Sequence, residues 1–143
     1  MAKTSIFSKA TVYTLLIALL FAYFPTSSVM AKKTNQGLED KWSQLVTNYT
    51  RQSLHHTSVH KWVDRWLTNQ KKESLSDRPD VQKHLTICNS AIMAAGTIVA
   101  KHAGFDASGN VIDRKAAIKS IRDLSDYLQQ HAGAMKNLDA YVN

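Results

Sequence analysis

PDVQKHLTICNSAIMAAGTIVAKHAG, running from Pro79 to Gly104, decides the fold. Val81, Leu85, Cys88, Ile92, Ala95 and Val99 recur at steps of three and four, one stripe of an α-helix, and Ile87, Ala91, Ala94 and Ile98 lie beside them. Proline suits the first helical position, where its missing N–H has no intrahelical acceptor to lose. Gly104 offers a left-handed stop at the other end. The uncharged part, Leu85 to Ala100, includes Asn89 and Ser90 and falls short of the ~20 residues needed to cross hydrocarbon, so it reads as core. So broad an apolar surface predicts the central, most buried helix. Gly96 inside it costs about 1 kcal/mol relative to alanine, which predicts close approach by a neighbouring helix.

Upstream, Leu38, Trp42, Leu45 and Tyr49 form another helical stripe, with Glu39 and Asp40 placed as first-turn acids that the helix dipole favours. The stripe fades after Leu54. Thr57 or Ser58 then reads as the N-cap of a second helix bearing Val59, Trp62, Val63, Trp66 and Leu67 and closed by Lys71 and Lys72. Residues 73–78 (ESLSDR) form a polar connection to Pro79. Downstream, Phe105 to Asn110 reads as a turn and Asp113 as the cap of a last helix. That helix carries Ile118, Ile121, Leu124, Leu128, Met135 and Leu138, with His131, Ala132 and Gly133 placed to kink it. Alternating strand patterns are nearly absent. The expected fold is all-α, a small antiparallel bundle of about four helices.

The N-terminus carries Lys3 and Lys9, then an uncharged apolar run from Ala10 to Phe24, then small residues ending in Val29-Met30-Ala31. That is the order of a signal peptide, and residues 1–31 are expected to be removed by cleavage after Ala31, leaving residues 32–143 as a single helical domain. The expected location is periplasmic or secreted. The alternative is anchoring in an inner membrane by residues 10–24. Cleavage would remove two lysines and no acids from a chain of formal net charge +7, so the exported domain stays basic. Its single cysteine, Cys88, rules out an intrachain disulfide, so packing alone holds the domain together.

Six histidines raise the question of a metal, and His56 and His60 have the spacing that puts two imidazoles on one helical face. The helix start read at Thr57-Ser58 separates them, and no metal ligand, cofactor site or catalytic residue is expected. Asp106, Ser108 and Asn110 have the look of a calcium loop, but the glycine is misplaced and a tight turn explains them. Glycan hydrolysis needs paired carboxylates of unequal pKa. Beyond the leader there are only two glutamates, Glu39 in a dipole-favoured position and Glu73 in a polar linker.

The basic character is more informative. Arg51, His55, His56, His60, Lys61 and Arg65 gather in one stretch with Trp62 and Trp66 a helical turn apart. Positive charge beside large aromatics suits an anionic partner, and Arg51, His56, His60, Lys61, Trp62, Arg65 and Trp66 are the expected partner-binding residues. The structural alternative puts both tryptophans in the core and the charges on a solvated face. A protein or anionic envelope component is the expected partner. Membrane contact through the basic surface or an uncleaved leader is a further route, and nothing resembles a nucleic-acid-binding motif. The expected function is that of an exported non-enzymatic protein docking onto another envelope or extracellular macromolecule: an accessory part of a surface, secretion or transfer apparatus, or an inhibitor or exclusion factor. The alternatives are a ligand- or cofactor-binding bundle using His84, His102 or Met93, and a small periplasmic hydrolase.

Overall fold

The structure, a computed structural model, describes the backbone of residues 27–71 and 73–142 and the side chains of residues 34–69 and 73–141. The apolar run of the expected leader, Ala10 to Phe24, lies outside the described residues, whereas residues 27–31, the end of that leader, are already helical; of the lysine pair expected to close the second helix, Lys72 lies outside the described residues. Among the described residues the molecule is all-helical. It holds three long helices: α1, Ser27–Trp66; α2, Pro79–Lys101; and α3, Arg114–Val142. No helix among the described residues is long and apolar enough to cross a membrane. Chain contacts set Asn35–Asn143 apart as one compact unit.

Two of the four expected helices are therefore one. Thr57 and Ser58 do not cap a new helix. Their hydroxyls donate backward to the carbonyls of Ser53 and Leu54, at 3.2 and 3.4 Å, and the chain stays helical through them. The stripe that fades after Leu54 in fact continues. Leu54 is 70 % exposed, while the inward positions are taken by Gln52 and His56 before apolar residues resume at Val59 and Val63. Because α1 starts well before Leu38, Glu39 is not a first-turn acid. Its carboxylate accepts the Val111 N–H at 2.9 Å, tying α1 to the loop that precedes α3.

After Trp66 the chain makes a π turn, Leu67–Lys71, and a short 3-10 turn, Leu75–Asp77. The Ser74 N–H and hydroxyl both donate to the Asp77 carboxylate. Arg78 grips Asp80 through two nitrogens, at 2.8 and 3.1 Å, and reaches Glu73 at 3.5 Å. The Arg78 guanidinium holds the Asp80 carboxyl down at about 2. Pro79 then opens α2 at its first position. The left-handed residue that caps the helix is His102, φ 37°, its N–H donating to the Ile98 carbonyl, and Gly104 follows two residues on with a positive φ of its own, 91°. Gly104 also serves closeness: a Cβ there would lie 2.1 Å from the Ala117 nitrogen.

Asp106 folds the following turn around itself, accepting the N–H groups of Ser108 and Asn110. Asp113 caps α3 by accepting the N–H groups of Lys115 and Ala116. The α3 seam runs through Ala117, Ile121, Leu124, Leu128, His131, Met135 and Leu138 without a break at Gly133. Ile118, expected inside, is 46 % exposed; Ala117 takes its place.

Cross-helix contacts fix the directions. Arg114 donates to Asn35 and Gln52 meets His131, so α1 and α3 run parallel. Asn89 meets His56 while Gly96 faces Tyr49, and Ser120 donates to the Ala103 carbonyl, so α2 runs against both. Gly96 makes the expected close approach, since a Cβ there would stand 2.7 Å from the Tyr49 hydroxyl. Among the described residues α2 is not the most buried helix: it buries Leu85, Cys88 and Ala95 but leaves Met93 72 % exposed, and more of α3 is buried.

The core is in two parts. One comprises Val59, Val63, Leu67, Val81, Leu85, Cys88, Ala134, Met135 and Leu138. The other is built on Trp42, Ala95, Phe105, Ala117, Ile121, Leu124 and Leu128, with the Trp42 and Phe105 rings stacked at 4.5 Å. Between them the helices present Gln52, His56, Asn89 and His131, a polar layer crossing the bundle.

Candidate functional site

Two sites stand out, one inside the bundle and one on its surface. The inner one is the polar layer. His56 Nδ1 lies 3.1 Å from His131 Nε2, and His56 Nε2 lies 2.9 Å from Asn89 Oδ1. His131 Nδ1 is 2.7 Å from Gln52 Oε1, while the Gln52 amide nitrogen donates to Asn48 Oδ1 at 3.4 Å. The His131 side chain is almost wholly buried, and burial, followed by the charges of His56 and His55, pushes its pKa down to about 4. His56 is lowered too, by burial first. Cys88 is fully buried against the same layer, and burial raises its thiol to about 11. Its sulfur and one nitrogen from each of His56 and His131 all lie within 4.8 Å of one another.

His56 and His60 do share one helix, contrary to the separation read from Thr57-Ser58, and their rings meet edge to face at 5.0 Å. His60 Nε2 is buried with no hydrogen-bond partner among the described residues. The histidine and methionine set expected for a cofactor does not converge. Met93 points outward, His102 is spent on the end of α2, and His84 packs beside Tyr141 with its rings 5.9 Å apart. Sequence reasoning missed the inner cluster because its members come from three helices and share no local motif. The available signal was positional: Gln52, His56 and His131 each fill a seam position between apolar residues.

The outer site lies along α1. Arg51, His55, Ser58, Trp62 and Arg65 recur at steps of four and three and form one exposed stripe. His55, Ser58, Val59, Lys61, Trp62 and Arg65 line a groove of about 500 Å³ whose other edge is Asp139 of α3. Trp62 is 39 % exposed. Of the seven residues expected to bind a partner, Arg51, Lys61, Trp62 and Arg65 thus share the outside, while His56 and His60 turn inward. Trp66 packs on the first core cluster, with the Arg78 guanidinium over its ring at 5.8 Å. The two tryptophans part company: one is packed, one offered to solvent. On α3, Lys119 and Arg122 both pair with Asp123, so their charge is partly answered on their own helix. Glu39 and Glu73 are likewise engaged, by Val111 and Arg78.

The fold and site define a small helical bundle with a buried imidazole–thiol cluster and a basic, aromatic outer stripe. No family model matches the chain, no curated protein matches its sequence, and no solved structure matches its fold.

Proposed function

We propose that this is an exported, non-enzymatic helical protein that docks an acidic protein partner of the cell envelope or exterior onto the outer stripe of α1. The reading is carried by one observation: Trp62 stands exposed between Arg65, Lys61 and His55 in an open groove of about 500 Å³. Tryptophan and arginine are the residue types that concentrate binding energy at protein interfaces, because each combines large area with a directed polar group. The surplus of positive charge selects a partner of opposite sign and speeds its arrival. Asp139 at the groove's far edge supplies a contrasting charge that sets orientation. A concave, two-sided groove suits a protein segment better than the flat surface of a bilayer. Export is supported by Lys3 and Lys9 ahead of the apolar run and by the small residues ending at Ala31.

The docking reading is tested by affinity capture from envelope extracts with the natural protein, Lys61→Glu/Arg65→Glu and Trp62→Ala. The expected result is one acidic protein recovered by the natural chain and lost by both variants. Equal recovery by all three removes the stripe as the docking surface, and sedimentation with anionic vesicles that both variants abolish would redirect it to lipid. Export is tested separately by intact mass of the protein from its native host, expected to begin at Lys32.

A further inference from the structure

The hydrogen-bond arithmetic of the polar layer points to a metal. His56 Nε2 and His131 Nδ1 each face a carbonyl oxygen, Asn89 Oδ1 at 2.9 Å and Gln52 Oε1 at 2.7 Å. An amide oxygen only accepts, so each of these outer nitrogens must carry the ring's proton. Gln52 is held in that orientation by the bond from its amide nitrogen to Asn48. A neutral imidazole has one N–H, so the two inner nitrogens, His56 Nδ1 and His131 Nε2, turn bare lone pairs toward each other across 3.1 Å. Two lone pairs at that distance repel, and a cation held by both relieves the conflict.

We infer that His56, Cys88 and His131 form a binding site for a transition-metal ion of borderline or soft character, zinc(II) or copper(I). Two nitrogens bound at ~2.0–2.1 Å around a tetrahedral ion stand about 3.3 Å apart, close to the separation seen. Cys88 Sγ, within 4.8 Å of both, supplies the third donor after small adjustment. An imidazole and thiolate set selects against magnesium and calcium, which take oxygen ligands. The carbonyls of Asn89 and Gln52 do what such groups do around metal-bound histidines, accepting the far N–H and fixing which nitrogen faces the ion. Binding breaks the Cys88 S–H bond, forms a metal–sulfur bond and releases one proton to solvent for each ion taken up. Three protein donors leave a fourth position for a small ligand. The Asn89 edge, which is exposed, is the way in. This site is independent of the docking stripe.

The test uses the full chain, purified without a polyhistidine tag and stripped of metal, with cobalt(II) as the optical probe and zinc(II) and copper(I) as the candidate ions. Expected are a thiolate-to-cobalt charge-transfer band saturating at one equivalent, its displacement by zinc(II) or copper(I), and a raised Tm with whichever ion binds. Cys88→Ser abolishes the band while far-UV circular dichroism stays helical. Asn89→Leu, at an exposed position that does not touch the ion, keeps the fold even if the cysteine variant does not, and weakens zinc affinity about ten-fold or more. Absence of the band together with no Tm change from zinc(II) or copper(I) overturns the inference. So does a Tm rise of equal size in the natural chain, Cys88→Ser and Asn89→Leu, which would mean adventitious binding elsewhere.

Discussion

Gly96 and Gly133 both sit inside helices, and the space beside each decides what an added methyl group does. At Gly133 nothing lies within 4 Å of a new Cβ, so Gly133→Ala is expected to raise stability by up to about 1 kcal/mol through helix propensity alone. Gly96→Ala drives its methyl to 2.7 Å from the Tyr49 hydroxyl and should lower stability despite the same propensity gain. Urea denaturation of both variants checks the contrast. His131 brings a pH dependence. Its folded pKa is about 4 against 6.5 unfolded, so on acidification the unfolded chain takes up the proton first. The stability contribution is fully present above pH 6.5 and is lost as pH falls through 4, a change of roughly 3 kcal/mol at most. Metal-free protein denatured at stepped pH should show that slope, and His131→Gln should flatten it. Cys88, fully buried, should react with a thiol reagent only as fast as the bundle opens.

At the scale of the element, the question is what keeps α1 whole. Ser58→Ala would cost about 1 kcal/mol if Ser58 capped a helix; because its hydroxyl bonds backward, the expected change is under ~0.5 kcal/mol. Asp113→Ala, which does remove a cap, should cost about 1 kcal/mol. Thr57→Pro, placed mid-helix, should cost about 3 kcal/mol or more. Thermal melts of the three variants rank them. The same comparison shows where the sequence was legible. Pro79 and Asp113 announce their helix starts because each solves a problem at a terminus with its own atoms. The Val81–Val99 seam and the close approach at Gly96 follow from spacing and from a missing side chain. The continuity of α1 was hidden because Gln52 and His56, polar residues, hold core positions through partners that only the tertiary fold supplies. For the outer stripe, the clustering of Arg51, Lys61, Trp62 and Arg65 was visible, but which tryptophan faces out depends on where α1 meets α3.

For the molecule as a whole, the polar layer divides one core into two, Val59 to Leu138 below it and Trp42 to Leu128 above. Replacing Gln52, His56 and His131 together by leucine should raise Tm, since apolar groups of similar size fill such layers without leaving donors unpaired. The same triple variant should narrow the dispersion of methyl signals in NMR spectra. Apolar seams of this kind are nearly indifferent to sliding by one turn. In the natural chain such a slide would bring Leu128 or Met135 to the level of Gln52 and strand amide and imidazole nitrogens in hydrocarbon. The layer thus acts as an indexing notch: it makes only one vertical alignment of three similar rods acceptable, as a lone asparagine does in a coiled coil.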